Sequence, residues 1–352
     1  MKNKIECLRE HILIYPEMKV SDLFKFIYQS AFGCEHMALS LENSVKRIED
    51  EARSIQRRTG MLTESLCGEY SRVSLDWLKQ GLSSKTLGKL FVMSAKHEEN
   101  GKTVLRELLD VAEELVKQGI TPFSADEFAD ELCAWKSEGF PAVRHSDKFR
   151  NTYTPSYRVI SNRFVPFLPL FCKIDTALKH KKTFTLAIEG GSASGKSTLS
   201  EVLEQIYGCT VFHMDDFFLR PEQRTAERLA EIGGNIDKER FLSEVLIPLS
   251  ERKSVSYRRF DCQSMGILPP QEIVPTPFTV IEGAYSMHPE LSSYYDFSVF
   301  LDVLEECRTQ RIKVRNAPSL AERFFNEWIP KEKLYFEKFN IKNKCDMSVV
   351  ID

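Results

Sequence analysis

The stretch TFTLAIEGGSASGKSTLSEVLEQIYG, residues 183–208, constrains the fold of this chain more than any other. An apolar, β-rich run leads into a glycine turn, and a helical segment follows and stops at Gly208. Gly190, Gly195, Lys196 and Ser197 complete the pattern G-x-x-x-x-G-K-[ST]. The glycines let the backbone turn tightly, so that successive N–H groups face an anion. The helix beginning near Lys196 presents its positive end to the same point. In this reading Gly190, Gly191, Ser192, Ala193, Ser194, Gly195 and Lys196 cradle the phosphates of a nucleoside triphosphate. Lys196 reaches the β- and γ-phosphates, the Ser197 hydroxyl ligates Mg²⁺, and Thr198 abuts the α-phosphate region. A Gly/Ser surface turn would also satisfy the letters, but the strand–loop–helix context is the one the motif needs.

The same alternation continues to the end of the chain. CTVFHMD (209–215), PFTVIEGAY (277–285), DFSVFLDV (296–303) and DMSVVID (346–352) read as strands. DKERFLSEVLIPLS (237–250) and LEECRTQRIKVRN (304–316) read as helices. Short buried strands alternating with helices predict an α/β domain over 182–352, a P-loop NTPase-type parallel sheet flanked by helices. Residues 1–165 predict a separate, mostly α-helical domain. In SDLFKFIYQSAF (21–32) Ser21 stands at the N-cap; segments 100–119 and 124–139 each carry an apolar face and end on glycine. Residues 166–181 are expected to connect the two.

Composition narrows the function classes. The formal net charge is −3, which excludes a broadly basic nucleic-acid binder. No apolar run approaches the ~18–20 residues of a membrane span. The start, MKNKIECLREHIL, lacks a long apolar core and a small-residue cleavage site, so no secretory leader is expected. The nine cysteines are dispersed, without a C-x-x-C pair. The expectation is free, mostly buried thiols and a cytoplasmic protein.

Three further features suggest what is done with the phosphate. VFHMDDFFLRP (211–221) ends a strand on two acids, at the edge where parallel sheets bind ligands. Phosphoryl transfer to an alcohol needs a group that orients the hydroxyl and accepts its proton; Asp215 is the first candidate and Asp216 the second. Glu282, ending FTVIEGAY, suits a Walker-B magnesium role. Arg308, Arg311 and Arg315 fall at i, i+3 and i+7 on one helix face, where they could neutralise charge on the transferring group. A solvated turn, an edge-strand glutamate and a solvated basic face are the plainer readings of these three. NKCD (343–346) matches a guanine-reading motif formally, but its strand follows rather than precedes it, so it reads as a loop.

With GGSASGKST, MDDFF, VIEGAY, the arginine helix and CDMSVVID assembled, residues 182–352 resemble the uridine kinase / phosphoribulokinase group of P-loop kinases. The resemblance implies ATP and Mg²⁺, with Asp215 as general base and also near the metal beside Ser197 and Glu282. It implies Lys196, Arg308 and Arg311 as catalytic cations and Arg315 at the nucleotide. It also implies that Asp237 contacts hydroxyls of the acceptor. The acceptor region departs from the pyrimidine nucleoside pattern. YRRFDCQSMG (257–266) has Phe260–Asp261 in place of a tyrosine–aspartate pair, and Met265 near where a base-reading histidine would fall. Asp216, Tyr257, Arg259 and Asp261 are therefore expected to shape a different or more anionic acceptor site. The expected partner is a small-molecule hydroxyl acceptor, with no nucleic acid or membrane. A nucleoside or sugar-like alcohol leads; a pantothenate- or glycerate-like acceptor, or a nucleotide-sensing protein with slow hydrolysis, are the alternatives. The arginine-rich insertion 220–235 reads as an acceptor cover or an exposed charged helix.

The first 165 residues name no activity. YQSAFGCEHMA (28–38) pairs Glu35 with His36, and FPAVRHSDKFRNTYTPSYR (140–158) gathers His145, Asp147 and several arginines and tyrosines. A second site, a homo-oligomer interface, or a domain that shapes the kinase pocket are the readings open at this point.

Overall fold

A computed structural model describes residues 3–34, 40–54, 61–95 and 100–351 of the 352. Glu35 and His36 lie outside the described residues. The chain divides into two compact units, Met1–Thr176 and Ala177–Asp352. No helix among the described residues is long and apolar enough to cross a membrane.

The N-terminal unit is mostly helical, with α1 (Lys4–Ile14), α2 (Val20–Phe32), α3 (Leu41–Ser54), α4 (Ser84–Ser94), α5 (Gly101–Lys117), α6 (Ala125–Ser137) and α7 (Asp147–Tyr153). Helix α8 (Leu168–His180) carries the chain across the division between the units. A small antiparallel sheet, not expected from the sequence, runs β1 (Thr63–Ser65), β2 (Tyr70–Ser74), β3 (Tyr157–Ser161) in that order. All five residues of β2, YSRVS, are buried, so no polar–apolar alternation advertises the strand. Ser124 caps α6 as the sequence suggests, accepting from the Glu127 amide. At α2 the cap falls instead on Lys19: the Asp22 carboxylate accepts from the Lys19 amide at 2.9 Å, and Ser21 lies inside the first turn. The cysteines also differ from expectation. Cys7 and Cys67 form a disulfide with Cα atoms 5.8 Å apart. The two stand 60 residues apart in sequence, so spacing gave no sign of the pair. The other seven are free.

The C-terminal unit is built on a parallel sheet of β4 (Phe184–Gly190), β5 (Thr210–His213), β10 (Phe278–Glu282), β11 (Phe297–Val303) and β12 (Met347–Ile351). Its order is β12-β11-β4-β10-β5. Two short pairings, β6 (Val255–Tyr257) with β9 (Gln271–Ile273) and β7 (Phe260–Asp261) with β8 (Gly266–Ile267), form a flap between β5 and β10 in sequence. Leu186, Ile188, Val280 and Ile281 are wholly buried, as parallel strands covered on both faces require. Helix α9 (Lys196–Tyr207) buries Leu199, Leu203 and Ile206 at i, i+4 and i+7. This is the P-loop type of α/β fold expected from the sequence.

Candidate active site

The sheet register brings three strand ends to one edge. Glu282, last in β10, pairs across the ladder with His213, last in β5, and with Ile188 near the end of β4. The loop 190–195, the acids 215–216 and Glu282 therefore share the carboxyl edge of the sheet. Gly283 makes this close approach possible: its φ is +145°, and a Cβ there would stand 2.5 Å from the Met214 Cβ.

The phosphate loop has the backbone its glycines promise. Gly190 and Gly195 adopt φ of +153° and +94°, and Ala193 joins them at +60°. A Cβ at Gly190 would stand 2.9 Å from the Leu301 carbonyl oxygen. Lys196 is buried, and its ammonium donates to the Gly190 and Gly191 carbonyls at 2.9 and 3.0 Å. Ser197 Oγ donates to Glu282 Oε1 at 3.2 Å. That carboxylate also takes His213 Nδ1 at 2.6 Å, and this hydrogen bond raises the His213 pKa above its ordinary value. Ser194 Oγ is buried without a hydrogen-bond partner.

Asp215 and Asp216 have different surroundings although adjacent. Asp215 is an exposed residue whose carboxylate nevertheless has protein atoms on most sides. Desolvation, then Glu282 and Asp216, push its pKa up, while Lys196 and His213 pull it down. Asp216 is buried; Oδ1 accepts from Arg259 Nε at 2.9 Å and Oδ2 has no partner. Tyr257 is buried beside it, stacked on Phe217. Asp237 is committed to its own helix: Oδ1 caps the Arg240 amide at 3.1 Å, and Oδ2 receives Arg240 Nε at 3.2 Å and Gln223 Nε2 at 3.1 Å. Asp261 turns into the β7–β8 loop and accepts from the Gln263 and Ser264 amides and the Ser264 hydroxyl. The insertion's arginines are occupied locally: Arg228 pairs with Glu239 at 2.8 Å and donates to the Ile236 and Gly234 carbonyls, and Arg224 donates to the Leu219 carbonyl.

The arginine helix, Glu305–Arg315, lies against the loop. Arg308 Nε donates to the Ser192 carbonyl at 3.0 Å, and a Cβ at Gly191 would stand 2.5 Å from the Arg308 guanidinium. Arg311 Nη1 reaches the Ala193 carbonyl at 3.4 Å. Arg315 is exposed. Residues 343–346 do not form a recognition loop: Asp346 Oδ2 accepts from the Ser298 amide and hydroxyl at 2.8 and 2.7 Å and so ties β12 to β11.

Sequence reasoning missed three groups here. Glu332, in the helix Ile329–Phe339, accepts from the Ser192 amide at 3.0 Å and hydroxyl at 2.5 Å and pairs with Arg308 Nη2 at 2.9 Å. His213 stands in the quoted VFHMDD and could have been read as a second ligand-side group at that strand end. Glu189, wholly buried under the loop, accepts from the Gly190 and Met287 amides at 2.9 and 3.0 Å and from the Tyr335 hydroxyl at 3.1 Å. Burial raises its pKa to about 7, against the pull of those amides and of Lys196.

The residues fit a phosphate chain and a magnesium ion. Positive-φ backbone, a helix N-terminus, Lys196, Arg308 and Arg311 converge on one loop, and the buried Ser194 hydroxyl lacks an acceptor. Ser197 and Glu282 offer the oxygen ligands Mg²⁺ takes. No group of three His, Cys, Asp or Glu side chains able to hold a metal occurs among the described residues, so the ion's shell would draw on phosphate oxygens as well.

Residues 185–317 match the model of the Phosphoribulokinase / Uridine kinase family. Uridine kinase-like protein 3 of Arabidopsis thaliana is 23% identical over 143 residues, which is 38% of this chain and 30% of that protein. The chain thus spans less than a third of this curated relative. Among solved structures, a possible uridine kinase from Bacillus stearothermophilus is 23% identical with a TM-score of 0.41, covering 52% of this chain and 96% of its own. Shikimate kinase from Aquifex aeolicus is 19% identical with a TM-score of 0.24, covering 47% and 85%. The family match supports a small-molecule kinase over the C-terminal unit.

Proposed function

We propose that this chain, whose residues 185–317 match the phosphoribulokinase / uridine kinase family, transfers the γ-phosphoryl group of ATP to a hydroxyl of a small metabolite. The observation that carries this reading is the meeting, at one sheet edge, of a phosphate cradle, an oxygen pair for a metal and an exposed acid, Asp215, beside them. A nucleotide switch needs the first two but not the third.

In this reading the loop amides and Lys196 hold the phosphates, and Lys196 would exchange its two carbonyl partners for phosphate oxygens. Magnesium, held by Ser197 and Glu282 and near Asp215, would offset charge on the phosphates when bound. Asp215 orients the acceptor hydroxyl and takes its proton at a carboxylate oxygen. Arg308 and Arg311 stabilise charge on the transferring group, with Arg315 toward the nucleotide. Asp216, Tyr257 and Arg259, linked through the Arg259–Asp216 pair, shape the acceptor side; Asp261 acts there through the β7–β8 loop it holds and Asp237 through Arg240, neither as a free carboxylate. A nucleoside or sugar-like alcohol is the leading acceptor. Arg258 and Arg259 are held by Glu244 and Asp216, and alcohols of the pantothenate or glycerate kind remain the alternative acceptors to test.

The test is ADP release by the full-length chain with ATP and Mg²⁺ across nucleosides, sugars and hydroxy acids. Acceptor-dependent release with a phosphorylated product supports the proposal. Slow hydrolysis indifferent to every acceptor overturns it in favour of a nucleotide-sensing protein.

A further inference from the structure

The N-terminal unit buries a charged cluster that nothing in the kinase reading uses. Arg72, in the middle of β2, is 2% exposed. Its Nε donates to Gln29 Oε1 at 2.8 Å and its Nη1 to Glu64 Oε2 at 3.1 Å. Glu64 Oε1 lies 2.6 Å from His11 Nδ1, and Tyr15 donates to Oε2 at 3.3 Å. Both carboxylate oxygens are thus taken. The guanidinium lies 4.8 Å from the ring centre of Tyr157, whose hydroxyl stands 2.8 Å from His145 Nε2. His145 Nδ1 in turn donates to Asp22 at 3.1 Å. Asp147, near His145 in sequence, is instead exposed and pairs with Arg150 at 3.6 Å.

One donor in this cluster is left over. Arg72 Nη2 is buried and has no hydrogen-bond partner. A buried unsatisfied donor of this kind is rare and costs about 1–3 kcal/mol, more for a charged group. Arg72 also lines a cavity of about 110 Å³ with Tyr15, Tyr153, Ser156, Tyr157 and Glu64, whose carboxylate is held by Arg72 and His11. At ~30 Å³ per water, this is room for a carboxylate or phosphate head, not for a nucleotide. Through Pro155 and Ser156 the cavity adjoins an open cleft of about 740 Å³ lined by Lys25, Arg144 and Arg150. Among the described residues the one acid lining that cleft, Glu51, is already paired with Arg158 at 2.8 Å. The approach is therefore cationic, and the Lys25 pKa falls to about 8 through burial and the neighbouring Arg72 and Arg150.

We propose that the N-terminal unit is a binding site for a small oxyanion-bearing metabolite, its carboxylate or phosphate head drawn in past Lys25, Arg144 and Arg150 toward the buried Arg72 guanidinium. Among the lining tyrosines, Tyr15 and Tyr157 are already bonded to Glu64 and His145, while Tyr153, whose oxygen accepts from the Glu17 amide, can turn its hydroxyl proton to the ligand.

The test uses the full-length chain carrying Lys196→Met, which weakens anion binding at the phosphate loop. It is titrated calorimetrically with inorganic phosphate and, separately, with acetate. Saturable binding of either is expected, and the arm that saturates identifies the head group. Lys25→Met and Arg150→Ala should each weaken it by about tenfold, the loss of one charge-assisted contact. Arg72→Gln should abolish it; should that variant fail to fold, the two cleft variants still decide. Absence of saturation with both anions overturns the proposal, as does binding that Lys25→Met and Arg150→Ala leave unchanged.

Discussion

Glu189 gives the C-terminal unit a pH-dependent stability of predictable sign. Its carboxyl is wholly buried beneath the phosphate loop, and burial moves its pKa from 4.5 to about 7. The folded-state pKa lies above the unfolded one, so the usual carboxylate sign is reversed. Below about pH 4.5 both states hold the proton and Glu189 contributes no dependence. Between 4.5 and about 7 the unfolded chain releases the proton while the native state keeps it, and stability falls as pH rises. Above 7 the full cost is present. The difference of about 2.5 pK units, at 1.36 kcal/mol each, is about 3 kcal/mol. Glu189→Gln keeps the shape and one acceptor oxygen but cannot ionise. Amide exchange of β4, Phe184–Gly190, reports this unit alone. Between pH 5 and pH 8, after correction for intrinsic exchange, wild-type protection should fall by about 2.5 kcal/mol more than that of Glu189→Gln, the rest of the change lying below pH 5. Equal pH dependence in the two proteins would refute the reasoning.

Three other expectations follow from contacts around the loop. Gly283→Ala would place a Cβ 2.5 Å from the Met214 Cβ, and the overpacking should cost about 1–3 kcal/mol, seen as a lower unfolding midpoint; an unchanged midpoint would contradict the close approach of β10 to β5. Glu332→Gln removes the carboxylate that holds Arg308, so amide exchange in Glu305–Arg315 should accelerate by about tenfold, roughly 1.4 kcal/mol; unaltered protection would show that the pair does not anchor the helix. Ser197→Ala should raise the Mg²⁺ concentration for half-maximal turnover by about tenfold while leaving metal-free nucleotide binding intact, and loss of both together would argue against a metal role.

What the sequence revealed follows from how local each device is. The loop 190–197 is contiguous, and its glycines, lysine and serine are required by backbone geometry and charge, so it is legible letter by letter. The strand ends carrying Asp215 and Glu282 are legible because parallel strands deliver their last residues to one edge. Asp237 is different: it is one acid among many until Arg240 and Gln223 close on it, and those contacts are tertiary. Glu332 stands 140 residues from Ser192, and no spacing connects them. In the N-terminal unit, β2 escapes notice because Arg72 is buried at its centre, where a strand pattern calls for an apolar side chain. The Cys7–Cys67 pair is hidden in the same way, by distance along the chain.

The central claim is that the carboxylate beyond the phosphate loop serves an acceptor hydroxyl. Asp215→Asn tests it most directly: nucleotide affinity and acceptor phosphorylation are measured on the same full-length protein, with the acceptor that gives the highest turnover. Removing a general base should lower kcat by about 10²–10⁴-fold. ATP affinity should stay within about threefold, since the cradle and Lys196 are untouched. Turnover near that of the wild type would contradict the account.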